Sequence, residues 1–105
     1  MDWNTIRDNA IAAAKGVLGG AWSAAANGAT AQITQLTQTA QYINDHLTNG
    51  TLTSAEGQFL MAQQKSALQN VLTAYESIAI AAAINAVNAV VTSLINAVPA
   101  LIGIA

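Results

Sequence analysis

Apolar residues recur at alternating steps of three and four along three stretches of the chain, the spacing that holds a seam on one face of an α-helix. Trp3, Ile6, Ala10, Ala13 and Val17 make the first seam, with Asp2 placed as its N-cap. Ile33, Leu36, Ala40, Ile43 and Leu47 make the second. Around it, Gln32, Gln35, Gln38 and Gln41 with Thr34 and Thr37 leave an outer face that is polar but almost uncharged. The third seam, Ile80, Ile84, Val87, Val91, Leu94, Val98 and Leu101, has the rhythm of a coiled coil or bundle. Pro99 kinks or ends that helix, because it lacks an N–H and crowds the preceding turn.

The clearest punctuation lies between Leu47 and Glu56. Gly50 suits the left-handed residue that follows a helix, and Thr53 with Glu56 three residues later fits a capping box opening the next one. Gly19-Gly20 and Asn27-Gly28 are weaker breaks. Together these features predict an all-α fold: a long antiparallel helical hairpin whose turn falls near residues 48–53. Arm one covers about 3–48 and arm two about 54–98 with a short tail, all within one domain. Two forms of the first arm stay open, one nearly unbroken and one kinked or broken near 19–28.

Composition sharpens this picture. Of the 105 residues 53% are apolar, yet 24 of them are alanine, so much of the burial must come from close backbone approach. Charged residues are only 8% of the chain, against about a quarter in ordinary soluble domains. With three basic and five acidic side chains, the chain has no electrostatic means of holding nucleic acid. The absence of cysteine removes disulfides, thiolate nucleophiles and zinc–thiolate sites. A secretory signal is a poor match, since Asp2 and Asp8 sit where a basic region belongs and Lys15 splits the apolar run.

Two ladders of small residues carry the functional expectation. Ala12, Gly16, Gly20, Ala24 and Gly28 recur at every fourth position, which on one continuous helix would let a second backbone approach closely. The other ladder, Ser77, Ala81, Asn85, Ala89, Ser93 and Ala97, is flanked by a stripe of Asn88, Thr92 and Asn96. Such a face hydrogen-bonds across an interface without desolvating a charge. From Ser77 to Ala105 no side chain is ionisable, whereas a helix that faces water ordinarily carries Glu and Lys. Both ladders, apart from Ser77, together with the amide stripe, form the expected interface of a self-assembling homo-oligomer, a ring, tube or filament of pilus-like or virion type. The alternative is a holin-like or pore-forming protein that inserts the uncharged arm into a lipid membrane. That arm has the length for a bilayer, which needs about 20 residues. Against insertion stand three asparagines, Pro99 and the lack of flanking aromatic or basic anchors at its far end.

Nothing in the sequence assembles a catalytic, cofactor or metal site, and neither an enzyme nor a small-molecule partner is expected. His46 and Asp45 are sequence neighbours and so point to different sides of a helix. The Gly16–Gly20 stretch lacks the Lys-Ser/Thr ending of a phosphate loop. Asn49-Gly50-Thr51 fits a glycosylation acceptor but is read as part of the turn. The scattered Trp3, Trp22, Tyr42, Phe59 and Tyr75 are read as core or interface anchors. In general character the chain resembles the small, alanine-rich, charge-poor helical subunits of phage coats and pilins. It departs from the filamentous-phage coats that sheathe DNA, whose basic tail is replaced here by Ala-Leu-Ile-Gly-Ile-Ala.

Overall fold

The computed structural model describes residues 1–105 and is helical throughout, with no strand. Its elements are α1 (Trp3–Leu18), α2 (Trp22–Thr48), α3 (Ser54–Thr73) and α4 (Ile80–Ala97). Single 3-10 turns lie at Gly19–Ala21 and Pro99–Leu101.

Helix α1 starts at Asp2, whose carboxylate accepts from the backbone N–H groups of Asn4 and Thr5 at 3.1 and 3.2 Å. It ends at Gly19, whose φ of 55° and ψ of −128° suit only a residue without a Cβ. The chain turns back there. Trp3, Asn4 and Arg7 then share a small cleft with Thr34, Thr37, Gln38 and Gln41, so α1 and α2 run antiparallel.

The second reversal follows α2. Both Thr51 and Leu52 donate their backbone N–H to the His46 carbonyl, with Gly50 at φ 78°. Thr53 Oγ1 accepts from Glu56 N at 3.1 Å while Glu56 Oε1 accepts from Thr53 N at 3.0 Å, which is the capping box. Helix α3 returns along α2, with Gln32 donating to Gln64 at 2.9 Å. Gly28 lies against Val71 and Tyr75 near one end of that pair, and Gly57 against Ile43 near the other. After Thr73 a third reversal buries Ile78, and α4 descends against α1. Each helix packs on its neighbours in chain order and α4 closes on α1, giving an up-down-up-down bundle 42 × 24 × 18 Å.

A hairpin of two long limbs is therefore not what forms. The first limb breaks at Gly19, inside the expected 19–28 window, and the second breaks at 74–79, where no break was expected. An unbroken limb of about 45 residues would extend about 68 Å. Folding each limb on itself instead lets alanine faces bury one another: Ala10 and Ala14 of α1, Ala25, Ala29 and Ala40 of α2, and Ala83 and Ala86 of α4 are all fully buried. Larger side chains, among them Ile33, Leu36, Met61, Leu68, Leu72, Val90 and Leu94, complete the core. The seams are only partly in phase with it: Ile80 and Ile84 of the third point outward.

Helix α2, 27 residues long, spans about 40 Å and continues past the start of α1. The segment after α4 covers α2 and α3 there. Leu101 and Ile104 are buried, Gln58 Nε2 donates to the Gly103 carbonyl at 3.1 Å, and Lys65 Nζ donates to the Ala105 carbonyl at 3.1 Å.

Candidate assembly face

The first ladder is not carried by one helix. Ala12 and Gly16 lie on α1, Gly20 lies in the 3-10 turn, and Ala24 and Gly28 lie on α2 beyond the reversal. Residues four apart align only while the helix is continuous, so these five share no face. Ala12, Gly16, Gly20 and Ala24 are exposed, and nothing comes within 4 Å of a Cβ built on Gly16 or Gly20. Gly28 is the exception. A Cβ there would stand 3.2 Å from Tyr75 Oη and 3.3 Å from Val71 Cγ1, a close approach made within the chain.

The second ladder stays on one helix from Ala81 to Ala97, and the bundle divides it. Ala89, Ser93 and Ala97 are half-buried and line a shallow groove with Asn9 of α1, so these small side chains serve the α1–α4 contact. Ala81 and Asn85 are exposed, and Ser77 precedes α4 in the loop. The stripe of Asn88, Thr92 and Asn96 faces outward along its whole length.

What α4 presents to the outside is thus a face in two chemical halves. Toward its start it is apolar, with Ile80 67% and Ile84 41% exposed beside Ala81. From Asn85 onward it carries the amides of Asn85, Asn88 and Asn96 and the Thr92 hydroxyl. Those groups donate and accept hydrogen bonds without charge. No ionisable side chain lies anywhere on the helix.

Charge elsewhere is sparse and local. Arg7 pairs with its neighbour Asp8 at 3.0 Å on the exposed side of α1. The Thr5 hydroxyl and the first free N–H groups of α1 hold the Asp2 carboxyl below the usual range. The Thr53 N–H and hydroxyl do the same for Glu56. His46 is turned away from Asp45: its Nδ1 lies 2.6 Å from Thr51 Oγ1, and its ring sits 4.1 Å from that of Tyr42. No group of three His, Asp or Glu side chains converges as a metal would require.

Sequence reasoning did not resolve a second exposed patch. Tyr42, 50% exposed, and Phe59, 62% exposed, flank a groove of about 470 Å³ between α2 and α3 that Leu52, Ala55 and Leu60 also line. A reading of Phe59 in phase with Ala55 and Ala62, on the side of α3 away from Met61 and Leu68, would have placed it outside. Comparison with protein-family models, curated proteins and solved structures finds no match to the chain.

Proposed function

We propose that the protein is a structural subunit that self-assembles into a homo-oligomeric ring, tube or filament, with the outer face of α4 as its contact surface. The observation that carries this reading is a solvent-exposed helix face without an ionisable group that presents Ile80 and Ile84 beside a row of amides. A solvated helix keeps itself apart from other copies with Glu and Lys, and α4 has neither. Burying that face against a second copy covers apolar surface and pairs amide with amide, with no charge to desolvate. The first ladder drops out of the interface, because its members are dispersed over two helices and a turn.

Sedimentation velocity on detergent-free protein at micromolar concentration tests the proposal. Wild-type protein should run as a species larger than one chain. Asn88→Lys and Ala81→Lys, both at exposed positions, should retain the helical circular dichroism spectrum and shift the protein to smaller species. A monodisperse wild-type monomer overturns the reading.

Membrane insertion is the second reading, favoured by α4 itself, an 18-residue helix with mean hydropathy 1.6. Only 33% of it is buried in the bundle. Its length is about 27 Å, close to the hydrocarbon core of a bilayer. Flotation with liposomes and release of an entrapped dye separate the two readings, and protein recovered wholly in the aqueous fraction without leakage removes this one.

A further inference from the structure

We infer that the segment Val98–Ala105 is an exchangeable plug, and that its seat between α2 and α3 accepts the same segment from a second copy of this chain. The inference rests on the self-assembly reading and adds the element that would link the copies.

The segment is a unit with its own backbone hydrogen bonds. Leu101 N donates to Val98 O, Ile102 N to Pro99 O, and Ile104 N and Ala105 N both to Leu101 O, at 2.9 to 3.0 Å. It borrows no backbone partner from α2 or α3; when it leaves them, only the Gly103 and Ala105 carbonyls exchange a side-chain donor of α3 for water. The unit joins α4 at its own first residue, Val98, at φ −129° and ψ 85°, which donates its N–H to Leu94 O of α4 and is followed by Pro99, which has no N–H to carry the helix onward. The joint is therefore a single residue.

What holds the plug is modest and indifferent to which chain supplies it. Leu101 and Ile104 enter the seat, and Gln58 and Lys65 of α3 each bond one carbonyl of the segment. Gly57 opens the floor of the seat: a Cβ there would stand 3.3 Å from Ile104 Cγ2 and 3.4 Å from Ile43 Cγ2. The α2–α3 pair has its own contacts, including the Gln32–Gln64 bond, so the seat remains when the plug is out. Exchange between two copies restores every one of these contacts, which is why swapping an identical element is an inexpensive route to association. The fit of the occupant is already demonstrated within one chain.

Cysteine pairing tests this directly, because the chain has no cysteine of its own. Gly57→Cys and Ile104→Cys put one thiol on each side of this contact, since a Cβ at position 57 would stand 3.3 Å from Ile104 Cγ2, an atom bonded to Ile104 Cβ. An equimolar mixture of the two single variants, oxidised mildly while assembled, should give a between-chain disulfide joining positions 57 and 104, identified by peptide mass. The double variant, oxidised as a dilute monomer, should lock its plug at home, fail to assemble, and recover assembly on reduction. If Gly57→Cys alone does not fold, the double variant oxidised at assembling concentration is read instead and should yield cross-linked multimers. A mixture without the 57–104 link, or a double variant that forms only within-chain disulfides at assembling concentration, overturns the exchange. So does a locked double variant that assembles like wild type, while leaving assembly through α4 standing. A wild-type protein that is monomeric overturns both.

Discussion

Gly16→Ala asks whether a glycine row on α1 is a contact face or merely a weak stretch of helix. Gly16 lies in the last turn of α1 with helical backbone, and its missing Cβ points into open space, with no atom within 4 Å. Glycine in a helix costs up to about 1 kcal/mol relative to alanine, through backbone entropy in the unfolded chain. A position so close to the helix end should recover about 0.5–1 kcal/mol. For a domain of this size that raises the thermal midpoint by about 2–6 °C. Gly28→Ala is the internal control. Its new methyl meets Tyr75 Oη at 3.2 Å and Val71 Cγ1 at 3.3 Å, so the gain in helix propensity is offset by crowding and the midpoint should stay or fall. Thermal and urea melts followed by circular dichroism, run at several protein concentrations to separate folding from association, measure both. A destabilised Gly16→Ala, or one whose assembly shrinks, would refute the reasoning, since it would mean that a neighbouring copy rests on that glycine.

Leu36→Ala, at a fully buried position of α2, should cost about 2–5 kcal/mol, read as a lower urea midpoint with an unchanged slope. The acid limb of stability should report the two helix caps. Glu56 and Asp2 both have folded pKa values below their ordinary 4.5 and 3.8, so their contribution is complete above those values and is lost as pH falls through the lowered ones. Thr53→Ala removes the hydroxyl, the lesser of the two Thr53 groups that lower the Glu56 value, and keeps the N–H, so it should flatten only in part the stability-against-pH curve just below pH 4.5; an unchanged curve would count against the hydroxyl's share in the cap. Phe59→Ser, on an exposed side chain, should leave the melting curve within about 0.5 kcal/mol of wild type.

Local chemistry made several features readable from residues alone. The Asp2 cap, the turn at Gly50 and the Thr53–Glu56 box each depend on groups within a few positions of one another, and the structure has all three. The seam from Ile33 to Ile43 is likewise buried as its spacing implies, since one uninterrupted helix carries it. The break at 74–79 was not readable. Ala-Tyr-Glu-Ser-Ile-Ala contains neither glycine nor proline, and the turn forms around the burial of Ile78 and the bonds from Tyr75 N to Leu72 O and from Ile78 N to Tyr75 O. The alignment of the first ladder was not readable for a related reason: its spacing of four has meaning only along a continuous helix, and α1 ends at Gly19, midway along the ladder.

Residue type and spacing thus determined that this chain is helical, nearly uncharged and capped at identifiable points. Tertiary packing alone decided which small faces close on each other, turning Ala10, Ala14, Ala25 and Ala29 inward while leaving Gly16 and Gly20 in the open. In a chain with alanine on every one of its four helices, several pairings of small faces are locally equivalent. The choice among them rests on how the large side chains far apart in sequence fill one common core.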